Sequence, residues 1–180
     1  MKRTKVFAHA RSVYDMDLSY LSKLKIKALI VDLDNTLEPA DCFIPTPRAI
    51  KLKEEVESLG IRFIIISNNT KKRVAPYCEK MKVTYLSFAF KYCGFRVKHF
   101  LKKEGLAVSD CLFVGDQIFT DYQYTKKIKG RLVLTEPITE KDNWQTRYVR
   151  KIDKKIRASW RRKNLLGPEF PRRKEALHVS

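Results

Sequence analysis

Four apolar residues, Ala28-Leu29-Ile30-Val31, run straight into Asp32-Leu33-Asp34-Asn35-Thr36-Leu37. The run is short, β-branched at its end and bounded by polar residues, so it reads as a buried strand. Residues i and i+2 of a strand face the same side. This strand therefore delivers two carboxylates together at its C-terminal end, the edge where open α/β sheets bind their ligands. Two carboxylates at close range repel, and a divalent cation relieves the repulsion. The pair suits a metal-dependent carboxylate nucleophile with a neighbouring acid/base. The bland alternative is a pair of Asp residues that only cap or brace a loop.

The rest of the chain decides between these. Strands are predicted over 26–33, 61–67, 83–88, 111–114 and 131–134. Between them lie helical stretches. Thr46 and Pro47 cap and open one that stops at Gly60. A basic stretch with Arg73 and Val74 follows, which Pro76 starts, kinks or offsets. Another spans 94–104, and one more runs through Tyr122. Asp17 is a candidate N-cap for a short helix over 18–24. Alternating strands and helices predict a parallel, doubly wound sheet in a three-layer α/β fold. With 180 residues, there is room for one domain with a substantial core.

Four strand ends carry polar residues of matching character: Asp32 and Asp34, then Ser67-Asn68-Asn69, then Lys91, then Gly115-Asp116 with Asp121 five residues on. In a parallel sheet these ends share one edge and can converge. This order resembles the haloacid dehalogenase-like (HAD) phosphatase superfamily. Its Asp-x-Asp-x-Thr motif is matched by Asp32 to Thr36, its strand-ending Ser by Ser67, its Lys by Lys91, and its acidic motif by Asp116 and Asp121. The wording Asp-Leu-Asp-Asn-Thr-Leu, Ser-Asn-Asn and Val-Gly-Asp-Gln is closer still to the YqeG-like class III subfamily. One loop and one helix fill the interval from Asp34 to Ser67, which leaves no room for a cap domain. Two departures stand out: Tyr92 follows Lys91 where Pro is common, and Tyr124-Thr125-Lys126-Lys127 replaces the usual Gly, Asn and Arg.

The resemblance implies a phosphomonoester hydrolase dependent on Mg2+. Asp32 would form an aspartyl-phosphate, and Asp34 would act as acid and then base. Asp32, Asp116 and the backbone carbonyl of Asp34 would hold the cation. Ser67, the backbone near Asn68, and Lys91 would hold the phosphate. Thr36 and Asp121 would brace this set. A phosphatidylglycerophosphate phosphatase is implied, as in related mitochondrial members. A nucleotide or nucleic-acid phosphatase, and a basic RNA- or ribosome-binding module with vestigial activity, remain alternatives.

Charge bears on the partner. The chain has 38 Lys+Arg against 20 Asp+Glu, a formal net charge of +18. Such an excess fits a polyanionic partner. Half of it lies in residues 141–180, where thirteen basic residues oppose four acidic ones. The phosphatase domain is therefore assigned to 1–140, and 141–180 to a basic helix and a disordered tail past Gly167 and Pro168. Trp144, Tyr148, Ile152, Ile156 and Trp160 recur every four residues, an apolar helical stripe. The stripe could dock on the domain, lie on an anionic phospholipid membrane through 144–163, or bind nucleic acid. No apolar segment follows Lys2 and Arg3, and no apolar run is long enough to span a bilayer. The expected location is cytoplasmic or membrane-peripheral. Cys42, Cys78, Cys93 and Cys111 have no zinc-type spacing and read as free thiols in a reducing compartment.

Overall fold

Six strands build the sheet: Ala8–Ala10 (β1), Ala28–Val31 (β2), Arg62–Ile66 (β3), Thr84–Leu86 (β4), Cys111–Gly115 (β5) and Arg131–Thr135 (β6). All neighbours pair in parallel, in the order β1-β6-β5-β2-β3-β4. The helices are Ser19–Lys23 (α1), Pro47–Ser58 (α2), Lys71–Met81 (α3), Phe95–Lys103 (α4), Gln123–Ile128 (α5) and Trp144–Arg162 (α6). The computed structural model describes residues 4–139 and 144–174, and side chains over 4–139 and 151–174.

Every residue of β2 is buried, as a strand covered on both faces requires. Alternation splits it between two cores. Leu29 and Val31 join α2 and α3 through Leu52, Val56, Val74 and Tyr77. Ala28 and Ile30 join α4 and α5 through Val97, Leu101 and Tyr124. The result is the expected three-layer α/β fold with a parallel, doubly wound sheet. Chain order reverses at β2: the chain moves out to β3 and β4, then returns to β5 on the other side. Such a switch point leaves a crevice at the strand C-termini. Register places Val31 opposite both Ile65 and Val114, so the polar residues after β2, β3 and β5 emerge level with one another.

Local signals act as the sequence suggests at several points. Thr46 caps α2 by accepting from Ala49 N, with Pro47 in the first turn. Asp17 accepts from Ser19 N, but the N-cap position of α1 falls on Leu18, which makes no side-chain cap. Pro76 lies inside α3 rather than at its start. The strand expected over 83–88 is pared to β4.

The C-terminal segment departs from expectation. Residues 165–174 run along β1 and the segment beside it instead of forming a disordered tail. Lys5 N donates to Leu165 O, His9 N to Pro168 O, Phe170 N to His9 O and Asp17 N to Pro171 O. Phe170 is buried beside Tyr20, edge to face at 5.4 Å. Burying such an aromatic ring recovers enough free energy to order a segment that composition alone marks as polar. Residues 175–180, and the side chains of Trp144 and Tyr148, lie outside the described residues. Of the remaining stripe, Ile156 and Trp160 pack on the domain, and Trp160 meets Tyr122 edge to face at 5.0 Å. Ile152 is exposed. Among the described residues no helix is long and apolar enough to cross a membrane.

All four cysteines are free. Burial pushes the Cys78 and Cys111 thiols up to about 12, whereas Cys93 is exposed. Iodoacetamide at mildly alkaline pH is expected to label Cys93 in the native protein and to spare Cys78 and Cys111 until denaturant is added. Peptide mass spectrometry reads the order, and native labelling of Cys78 would contradict its packing in the core.

Candidate active site

Asp32 continues the ladder of β2, its N–H donating to Val114 O at 2.9 Å. Asn35, three residues later, takes a left-handed conformation with φ 67°, which Asn tolerates better than most residues. The turn brings Thr36 back over the strand ends. Thr36 Oγ1 stands 3.2 Å from both Asp32 Oδ2 and Asp116 Oδ1, so its one proton serves either carboxylate. Carboxylate oxygens of Asp32, Asp116 and Asp121 lie within 4.8 Å of one another.

Lys91 reaches into this cluster from the loop after β4 and is buried. Its Nζ donates to Asp32 Oδ1 and, at 2.7 Å, to Asp121 Oδ1. Burial opposes the ammonium charge, but Asp121 and Asp32 outweigh it and hold Lys91 above the ordinary lysine range. Burial also raises Asp32 well above the ordinary carboxylate range. Lys91 lowers it, but Asp121 and Asp116 work in the same direction as burial. Lys91 thus pairs with two of the three clustered carboxylates, and an oxygen-coordinated cation would relieve the repulsion among them.

Asp121 is aimed by a single π-helical turn, Ile118–Tyr122, in which Tyr122 N donates to Gln117 O at 3.2 Å. Such turns recur at functional sites. Asp121 Oδ2 accepts from Gln117 N at 3.0 Å. Gly115 makes room for it: a Cβ there would stand 2.2 Å from Asp121 Cγ. Gly115→Ala is expected to cost about 1–3 kcal/mol of stability by overpacking and to lower activity by displacing Asp121 from Lys91. Denaturant titration and phosphate-release assays read the two effects separately.

Asp34 faces a different environment. Its Oδ1 accepts from Arg73 Nη2 at 2.9 Å and its Oδ2 from Asn69 Nδ2 at 3.2 Å. Arg73 is buried between the rings of Phe43 and Tyr77. Ser67 is buried and its Oγ accepts from Asn69 N at 3.0 Å, which leaves its own proton to donate. Asn68 turns its side chain to the Lys91 backbone, Oδ1 accepting from Lys91 N at 2.9 Å.

All the expected site residues therefore gather on one edge. The cluster adds Asp121 to Asp32 and Asp116, while the Asp34 side chain is held apart by Arg73 and Asn69. The two sequence departures meet each other: Lys127 Nζ donates to Tyr92 O, and Tyr124 is buried with Lys91 Nζ 5.7 Å from its ring centroid. Three residues were not anticipated. Arg73 reads in sequence as one more cation of Lys71-Lys72-Arg73. Asp153 and Arg157, on the inner face of α6, hold the loop after β5. Asp153 Oδ2 accepts from Ile118 N at 3.0 Å, and Arg157 Nη2 donates to Asp116 O.

A family model described as mitochondrial PGP phosphatase matches residues 6–139. The chain belongs to this family. It is a phosphatase of the HAD superfamily, and the match covers every residue of the site except Asp153 and Arg157. A relative from Bacillus subtilis (strain 168), "Probable phosphatase YqeG", is 29% identical over 153 residues, covering 85% of this chain and 89% of that protein. A putative 3-deoxy-D-manno-octulosonate 8-phosphate phosphatase from Vibrio cholerae shares the fold, with TM-score 0.50 and 15% identity over 79% of this chain and 90% of that one. The corresponding enzyme from Moraxella catarrhalis, solved with magnesium, phosphate and KDO, has TM-score 0.44 and 18% identity over 56% of this chain and 63% of that one.

Proposed function

We propose that this phosphatase hydrolyses a lipid phosphomonoester, phosphatidylglycerophosphate, through an aspartyl-phosphate on Asp32. The carrying observation is the separation of two neighbouring carboxylates into different environments. Asp32 lies against Lys91 and Thr36 in the acidic cluster. Asp34 lies outside it, held by Arg73 and Asn69. Pairs of carboxylates in contrasting environments divide into nucleophile and acid/base.

In the first half, an Asp32 oxygen bonds to phosphorus as the bond to the leaving alcohol breaks. Asp34 gives its proton to the departing oxygen. Lys91 balances the charge on Asp32 and on the phosphoryl group, and Ser67 donates to a phosphoryl oxygen. In the second half, Asp34 takes a proton from water as the water oxygen bonds to phosphorus. The Asp32–phosphorus bond breaks, releasing inorganic phosphate.

The oxygen-only donor set of Asp32, Asp116 and Asp121 fits Mg2+. When bound, Mg2+ would supply charge neutralisation at the phosphoryl group. Arg73 and Asn69 orient Asp34, and Thr36 fixes the angle between Asp32 and Asp116.

The substrate assignment rests on the family match together with the charge excess. Phosphate release from phosphatidylglycerophosphate dispersed in detergent, compared with soluble phosphoesters, tests it. A clear preference for the lipid is expected. Equal or faster turnover of nucleotides or sugar phosphates would overturn it.

A further inference from the structure

Among the described residues, nine large hydrophobic side chains are exposed, and six of them crowd onto two loops. Phe43 and Ile44, 63% and 60% exposed, lie on the loop after Asp34. Phe88, Phe90, Tyr92 and Phe95, 44% to 73% exposed, lie on the loop that carries Lys91 and at the start of α4. Both loops leave the C-terminal edge of the sheet, so the six side chains rim the site that holds Asp32. Large apolar side chains exposed together mark an interaction surface.

Two further observations point the same way. Phe88 and Phe90 take left-handed backbone conformations, φ 47° and 45°, which are costly for bulky residues. The strained backbone leaves both rings largely exposed, 44% and 57%. Together with Tyr92 and Asn68 they enclose a niche of about 240 Å³ at the mouth of the site. Cations flank the rim. Lys71 and Lys72 are exposed on the first turn of α3, and Arg96 is exposed with its guanidinium 5.6 Å from the Phe90 ring centroid.

We propose that this rim, loops 39–46 and 87–96, is the docking surface for an anionic phospholipid bilayer. Exposed aromatics interleaved with Arg and Lys are the chemistry of a membrane interface. Cations beside them complement anionic headgroups. The surface rests on the lipid reading above and adds to it a means of presentation: seated on the rim, the bilayer places a lipid phosphate over Lys91 and Asp32 without leaving the membrane plane. Ile156 and Trp160 of α6 face the domain and lie outside this rim.

Flotation with phosphatidylcholine vesicles, with and without phosphatidylglycerol, tests the proposal. The wild type floats with the anionic vesicles and not with the neutral ones, and added salt weakens the association. The double variant Ile44→Ser/Phe95→Ser, one change on each loop, partitions at least about tenfold less. It hydrolyses soluble p-nitrophenyl phosphate as the wild type does, which also reports that it is folded. Arg96→Glu, tested separately, weakens binding to anionic vesicles. A wild type that fails to float with anionic vesicles overturns the proposal, as does an active double variant that floats equally well. So does sedimentation velocity showing a wild-type oligomer that the double variant dissociates, since the rim then joins two copies of the chain. Flotation without hydrolysis of dispersed lipid supports this surface and sinks the substrate reading. Hydrolysis of dispersed lipid without flotation does the reverse.

Discussion

Asp32→Asn is expected to reduce phosphate release by about 10⁴-fold or more, as removal of a covalent nucleophile does elsewhere. Asn matches Asp in shape, so Thr36 keeps a partner and the turn through Asn35 is undisturbed. Lys91 keeps Asp121 at 2.7 Å. The fold survives, and its stability without divalent cation moves in an informative direction. Burial, Asp121 and Asp116 raise Asp32 above its ordinary value of 3.8. For an acid raised in this way, the stability of the neutral form is present below the unfolded value and is lost as pH rises toward the folded one. At neutral pH an ionised Asp32 is therefore a burden to the metal-free fold, partly offset by Lys91. The variant should melt at or above the wild type in chelator. Added Mg2+ should raise the melting temperature of the wild type more than that of the variant, because one ligand is missing. At a concentration one hundred times its dissociation constant, a ligand stabilises by about 2.7 kcal/mol. Acid-quenched turnover should trap a base-labile phosphoprotein in the wild type and none in the variant. Near-normal turnover by Asp32→Asn would place the nucleophile elsewhere.

Much of the site is legible in the sequence because catalytic side chains stand next to buried strands. A strand covered on both faces has to be a continuous apolar run, as Ala28 to Val31 and Phe63 to Ile66 are, and the first polar residue after it marks the sheet edge. Asp32, Ser67 and Asp116 are found in this way. Arg73 cannot be, because burial alone separates it from exposed Lys71 and Lys72, and that burial depends on Phe43 from a distant loop as well as on Tyr77 one turn on in the same helix. β1 is three residues, Ala8-His9-Ala10, with no hydrophobic pattern to display. Its existence depends on pairing with β6 and on hydrogen bonds from 165–170, contacts made across more than a hundred residues of chain. The same nonlocality hides the order of 165–174. In α6 the apolar stripe is legible, but its inward polar residues are hidden among many charges. Asp153 and Arg157 are four residues apart and flank Ile156, so they share the face that Ile156 and Trp160 turn to the domain.

That inner face gives the second large effect. Arg157→Met is expected to lower activity by about 10–100-fold, the usual cost of removing a group that holds a metal ligand in place. Arg157 is buried, donates to the backbone carbonyl of Asp116 and lies 3.6 Å from Glu136. Its donation is to the backbone of Asp116, so it acts on the position of the loop. Met fills the space of the alkyl stem but donates nothing, which frees the Asp116 carbonyl and slackens the turn that also carries Asp121. Leaving a buried acceptor without its donor costs about 1–3 kcal/mol, so the variant should unfold at lower denaturant. The test that isolates positioning is the Mg2+ dependence of phosphate release: half-saturation should move to higher Mg2+, and excess Mg2+ should recover part of the rate. A purely structural role would lower the stability and leave the half-saturation point unchanged. Arg157→Lys keeps a donor and a charge, and should lie between the two. With this result, the basic helix outside the family match becomes part of the catalytic scaffold, because the carboxylate it steadies belongs to the acidic cluster at Asp32.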